Sequence, residues 1–270
     1  MVRALYTAAS GMTAQQTKVD TITNNIANVN TVGYKKENAS FKSLLYQNIN
    51  VPQSPDAITR PESLQVGHGV RLGAITKDFS TGSLEETGNL FDLAIIGEGF
   101  FSVLKGEEVQ YTKDGSFNLS LVDESTYAIV TSTGEPLLST DGEPILIDST
   151  IPAEDITIQD NGMIVYLDPE LGVTMDIAQI QVVQFPNVEG LEATGNNLYR
   201  MSVASGEPLL EVENEIKQSQ IKSGWLETSN VNIAEEMVNL IMAQRAYEMN
   251  STAIKTADTM MQQANELKRS

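Results

Sequence analysis

Both ends of this 270-residue chain carry a seven-residue apolar repeat. Leu5, Met12, Val19 and Ile26 fall seven apart, with Ala8, Gln15, Ile22 and Val29 three positions after each. Ile233, Leu240, Tyr247, Ile254 and Met261 repeat that spacing near the other end, interleaved with Ala243, Asn250, Ala257 and Ala264. A sustained seven-residue period draws one narrow apolar seam along a helix, and such a seam needs a partner helix. Two seams at opposite ends predict that the termini meet and bundle, which points to an assembly protein before any enzyme.

Charge divides the chain in the same way. Residues 1–48 hold five basic and two acidic side chains, and residues 220–270 hold five and six. Of the 17 basic and 36 acidic residues in total, seven and 28 therefore fall in 49–219, a net of −21. The ends are close to neutral, as surfaces that pack together should be, and the acidic middle stays solvated and self-repelling. This balance excludes nucleic acid as a partner, because neutralising phosphates requires clustered Lys and Arg.

A 41% hydrophobic, 20% charged composition is enough to bury a core. There is no cysteine, hence no disulfide framework and no thiolate chemistry. No apolar run reaches the eighteen or so residues of a membrane span. The apolar start is interrupted by Thr7, Ser10, Gln15 and Gln16 before a signal-peptide core forms, so no cleaved signal is expected.

The first helix is predicted over residues 3–29, weakened at its end by Asn24, Asn25, Asn28 and Asn30 and closed by Gly33. The second is predicted over 233–267, with Asn232 as N-cap, Glu235 three residues on, and Lys268 and Arg269 in the last turn. Between them, short β-branched or apolar runs at 92–96, 100–104, 127–131, 145–147, 156–158, 164–167 and 180–185 read as strands. Turn pairs at 114–115, 133–134, 141–142, 161–162 and 171–172 separate them, and Asn161–Gly162 is the best hairpin signal. The expected class is α+β: long N- and C-terminal helices pairing in a coiled-coil-like bundle, with a central antiparallel β-rich domain. Residues 1–33 and 229–270 form the helical domain, 34–69 and 201–228 extended connections, and 70–200 the acidic β-rich domain.

No catalytic constellation emerges. His68 is the only histidine, too few for a zinc site without cysteine. Gly97-Glu98-Gly99 opens like a dinucleotide fingerprint but continues through Phe100, Phe101 and Ser102 with no helix pattern, so it reads as a tight turn that places Phe100 or Phe101 in the core. No phosphate loop, calcium loop or nucleophile elbow occurs, so no catalytic residue, cofactor or metal is expected. Trp225, after Gly224, suits either a junction or an ordinary core position.

Three stretches resemble the flagellar rod and hook proteins. The first is Asn24-Asn25-Ile26-Ala27-Asn28-Val29-Asn30-Thr31-Val32-Gly33-Tyr34-Lys35. The second combines Thr87-Gly88-Asn89, Asp92-Leu93-Ala94-Ile95, Gly97 to Phe101 and Tyr111-Thr112-Lys113-Asp114-Gly115. The third joins Ser229-Asn230-Val231-Asn232, Glu236-Met237-Val238 and Gln244-Arg245-Ala246-Tyr247-Glu248. Asn24, Asn25, Asn28, Asn30, Gly33, Asn230, Asn232 and Arg245 carry the resemblance at the helix ends. A segment over 48–66, between Leu44–Gln47 and Gly67–Val70, resembles an insert of the distal rod members, with the proximal rod members as the alternative.

The resemblance implies a structural subunit that self-assembles into a helical tube across the periplasm, with the terminal helices inside and the β domain outside. It implies neighbouring rod proteins, the hook, the L and P bushing rings and the flagellar export apparatus as partners, and export without a cleaved signal. A secreted acidic adhesin is the reading outside the family, but it leaves both seams unused; an envelope carbohydrate enzyme lacks a catalytic signature.

Overall fold

The computed structural model describes residues 2–48, 65–123, 125–152, 155–167, 174–211 and 218–269. The chain divides into two compact units, one of Met1–Ala27, Glu37–Lys77 and Asn232–Ser270, the other of Asn28–Lys36 and Asp78–Val231. The first holds both long helices; the second is almost entirely β. All strand pairs among the described residues are antiparallel.

In the first unit, α1 (Val2–Ala27) and α2 (Ile233–Arg269) run antiparallel, because Asn25 meets Glu236 and Gly11 meets Asn250. α2 starts where the capping residue predicts: Asn232 Oδ1 accepts the amides of Ala234 at 3.0 Å and Glu235 at 3.4 Å. Glu235 and Glu236 fill its first turn, where the helix dipole favours carboxylates. The side chains of Lys268 and Arg269 lie outside the described residues. α1 ends at Ala27, two residues before the predicted end, because Asn28 folds the chain into a turn. The Asn28 carbonyl accepts Thr31 N–H at 3.1 Å, and its side-chain oxygen accepts the Thr31 hydroxyl at 3.2 Å.

The expected extended connection over 34–69 contains half of a hairpin instead. Glu37–Ser43 pairs with Val70–Lys77, and Gln47–Asn48 with Gln65–Val66; residues 49–64 lie outside the described residues. Along Glu37–Ser43 burial alternates, but only Ala39 and Phe41 of the half-buried positions are apolar, too short a run to mark a strand in the sequence.

The second unit is organised by a six-stranded sheet in the order Glu192–Gly195, Leu198–Arg200, Glu108–Thr112, Phe100–Lys105, Val182–Gln184 and Leu209–Leu210. Two three-stranded sheets (Phe117–Asp123, Thr126–Thr131, Leu146–Asp148; and Ile156–Ile158, Met163–Leu167, Thr174–Gln179) pack with it. Asn161–Gly162 makes the predicted hairpin, with Ile158 opposite Ile164 and Gly162 at φ 80°. The predicted turn at 171–172 lies outside the described residues. Successive residues of a strand face opposite ways, so both phenylalanines after Gly99 are buried, in different cores. Phe101 joins Leu93, Val103, Ile129, Ile147 and Ile164, and Phe100 joins Tyr111, Phe185 and Tyr199 on the other face.

The segment 201–228, expected as a connection, is also pinned into sheets. Gln220–Ser223 pairs with Leu93–Ile96, and Trp225–Glu227 with Leu84–Glu86. Trp225 is half-buried, with the Lys222 ammonium 3.5 Å from its ring centre. Among the described residues no helix is long and apolar enough to cross a membrane.

Phe101 is fully buried, so Phe101→Ala should lower stability by about 3–5 kcal/mol in urea denaturation. Leu121→Ala, on a side chain 58% exposed, should cost under about 0.5 kcal/mol.

Candidate assembly site

The seam residues of α1 lie along one edge of its buried face. Ile22 is buried, and Leu5, Met12, Val19 and Ile26 are half-buried. The face is wider than a seam, since Ala14, Thr21 and Asn25 are buried too. The reason is a second neighbour: the hairpin covers one flank, with Val70 N–H donating to Ser10 Oγ at 3.3 Å and Asn25 bonded to Glu37. On the α2 flank, the side chain of Asn250 sits against Gly11, where a Cβ would lie 2.9 Å from its Nδ2.

On α2, Leu240, Ile254 and Met261 are half-buried, with Ala243 and Ala257 buried between them. Ile233 and Tyr247 are 47% and 42% exposed. A straight helix drifts off a strict seven-residue repeat by about 20° per heptad, so the row does not stay under a partner at every position. Tyr247 lines an open cleft with Gln16, Val19, Gln244 and Glu248. Val29 lies beyond the end of α1 and belongs to the second unit, so it is not a seam position. Seven threonines of the two helices, including Thr13, Thr17, Thr252 and Thr256, donate their hydroxyls to the carbonyl four residues back. Each hydroxyl is thereby satisfied within its own helix.

A polar anchor sets the register of the first unit. Asn25, 1% exposed, donates to Glu37 O at 2.9 Å and Glu236 Oε2 at 3.2 Å, and accepts Glu37 N–H at 2.9 Å. Asn24 donates to Glu37 Oε2 at 3.2 Å, and Lys77 pairs with Glu37 Oε1 at 2.8 Å. One asparagine thus fastens α1 to the hairpin and to the first turn of α2.

A second anchor lies wholly in the β unit. Lys35 and Glu227, each 1% exposed, form an ion pair at 2.7 Å across 192 residues of sequence. Lys35 also donates to Ser80 O at 2.8 Å, and Glu227 Oε1 accepts Gly82 N–H at 2.7 Å. Asn230 donates to Asp78 O at 2.9 Å and accepts Lys36 N–H at 2.8 Å. Gly33 donates its N–H to Glu227 O at 2.9 Å. Its φ of 67°, and Asp114 N only 2.7 Å from where a Cβ would sit, restrict the position to glycine. Of the remaining signature residues, Asn30 and Arg245 are exposed.

Lys113 is nearly enclosed beneath this anchor, donating to Gly97 O at 2.8 Å with its ammonium 5.3 Å from the Phe100 ring centre. Burial pushes its pKa down from 10.5 to about 8, opposed by the Glu227 carboxylate and reinforced by Lys35. Sequence reasoning placed Lys35, Lys113 and Glu236 inside the quoted motifs without a role, and missed Glu37 and Glu227. Partners up to 211 residues apart leave no spacing to read.

Residues 5–35 match the family of flagella basal body rod proteins, and residues 94–166 the flagellar hook protein FlgE/F/G D1 domain. Residues 222–267 match the flagellar basal body rod FlgEFG protein C-terminal family. The flagellar basal-body rod protein FlgG of Borreliella burgdorferi is 42% identical, covering 100% of both chains. The chain belongs to the flagellar basal-body rod and hook family. Its relatives include FlgG of Bacillus subtilis, 39% identical over 100% of both chains. The flagellar hook-basal body complex protein FlhP of Bacillus subtilis is 31% identical over 97% of each. Among the described residues no group of three or more His, Asp or Glu is placed to hold a metal ion.

Lys35→Met leaves the Glu227 charge buried alone and should lower stability by about 3–5 kcal/mol in urea, with Glu227→Gln in the same chain recovering part of the loss. Lys113 adds a pH dependence of definite sign. The unfolded chain keeps its proton up to pH 10.5 and the folded chain only to about 8. Stability should therefore rise as pH climbs from 8 to 10.5, by at most about 3 kcal/mol. Lys113→Met should flatten that rise in urea midpoints measured across the same window.

Proposed function

We propose that the chain is a structural subunit of the bacterial flagellar basal-body rod, assembling with copies of itself into a helical tube that encloses the export channel and transmits torque to the hook. The observation that carries this reading is the end-to-end match with basal-body rod proteins, 42% identical over the full length of both chains. The terminal helices, 1–33 and 229–270, supply the inner tube through coiled-coil-like pairing, and the acidic β-rich region over 70–200 faces outward. A heterologous contact repeated on a screw axis builds an open helical array rather than a closed ring. Neighbouring rod proteins, the hook, the bushing rings and the export apparatus are its partners in the periplasm-spanning structure.

Within the rod the position is distal. The extra segment over 48–66 supports it, as do identities of 36–42% with FlgG proteins of several bacteria. A proximal position is the second reading, favoured by the match over 94–166 to a domain common to several hook and rod members.

A concentration series of the purified full-length chain, followed by far-UV circular dichroism and negative-stain electron microscopy, tests the reading. Helix content should rise as hollow filaments form, because ordering long helices costs backbone entropy that neighbours offset. Leu240→Asp should abolish filaments, since it puts a charge into the packed face of α2. Tubes of normal abundance from that variant would overturn the packed-helix basis of the proposal.

A further inference from the structure

α2 has a second apolar stripe that the described residues leave uncovered. Met237, Val238, Ile241, Met242 and Met249 are between 52% and 67% exposed. At 3.6 residues per turn they lie on the side of α2 away from Ala243, Asn250 and Ala257, which face α1. Arg245 sits within this stripe, one turn from Ile241 and one from Met249. It is exposed, has no ion pair among the described residues, and is the only basic residue between Lys222 and Lys255.

α1 offers the complement. Its outward side carries Ala9, Thr13, Gln16, Thr23 and Ala27, all exposed and uncharged, with one bulky exposed residue, Tyr6, towards its start. The Thr13 and Thr23 hydroxyls are turned back to their own helix, at 3.2 Å and 2.8 Å. In the middle of this strip is Asp20, exposed, without an ion pair among the described residues, and the only acidic residue in positions 1–36. A stripe of large apolar side chains with one cation, Arg245, thus matches a strip of mostly small ones with one anion, Asp20.

We infer that the outer stripe of α2 docks on the outward face of α1 in a second copy of this chain, with an Arg245–Asp20 ion pair fixing the register. This rests on the assembly reading above and names the contact within it. Register supports the choice of a second copy. Within one chain Asn25 is level with Glu236 and Gly11 with Asn250, so Asp20 is level with Ile241. Arg245 lies four residues further along α2, or about 6 Å. A copy set alongside in the same orientation and displaced by that distance brings its Asp20 level with Arg245. Charge points the same way: copies of a chain with −21 over 49–219 repel one another there, and meet at least cost through the near-neutral helices. A membrane is disfavoured as occupant, because Glu235 lies at the edge of the stripe and Glu248 within it, where a lipid-binding helix carries Lys and Arg at the edge and apolar residues within. A lone ion pair inside an apolar contact contributes register more than affinity.

The test uses the full-length chain as the sole copy in flagellated cells, with complete rods counted in purified basal bodies. Asp20→Arg and Arg245→Asp should each cut the count at least tenfold, and the two together should restore it to within about half of the unmutated level. Because the chain has no cysteine, Asp20→Cys with Arg245→Cys adds a direct readout: mild oxidation of assembled rods should give a ladder of cross-linked chains. The two positions face apart within one chain, so such a ladder arises only between copies. Normal rod counts from both single variants, a double variant no better than either single, or assembled rods without a ladder would overturn the contact while leaving the rod reading intact. Failure of the unmutated chain to build any rod would overturn both. Unchanged thermal unfolding of the single variants separates lost assembly from lost folding.

Discussion

The β unit depends on one enclosed ion pair. Lys35 enters it from the N-terminal side and Glu227 from the C-terminal side, with no exposure to water. Two charges that deep are tolerable only when paired and hydrogen-bonded, and the surrounding chain meets most of that condition, leaving only Glu227 Oε2 of the pair without a hydrogen bond among the described residues. Ser80 O accepts from Lys35 and Gly82 N–H donates to Glu227 Oε1, Asn230 ties down residues 78–80 beside them, and Gly33 brings the incoming backbone onto Glu227 O. Burial beside the pair lowers the pKa of Lys113 to about 8, with Lys35 adding to the shift and the Glu227 carboxylate opposing it.

The helical unit solves the same problem with an amide. Asn25 donates and accepts in a buried setting where each bond is strong and any missing one would be costly. Its partners belong to the hairpin and to α2, so one side chain registers three elements. Packing around it is modest: alanines and a glycine line the α1–α2 contact while larger apolar residues of α2 remain outside. That distribution is unfavourable for an isolated molecule, and reasonable for a subunit whose burial is completed by neighbours.

Much of this was legible in advance. The seven-residue rows located both helices, and Asn232 set the start of α2 to the residue. Asn161–Gly162 named its hairpin. The strand over 37–43 was not legible, because only Ala39 and Phe41 of its half-buried positions are apolar. Nor was the pinning of 201–228, whose strands are two to four residues long and gain their identity from partners distant in sequence. Val29 continues the seven-residue period past Ala27, where α1 ends and Asn28 turns the chain.

By itself the sequence determined the class of protein: two amphipathic helices at the ends, a charged β region between them, and motifs specific enough to name a family. Periodicity, capping and charge are local properties, written in neighbouring residues. Tertiary structure alone decided which polar groups are buried together. Asn25 with Glu236 and Lys35 with Glu227 are joined across some two hundred residues, and no local pattern encodes a contact whose energy exists only once water has been excluded from both partners.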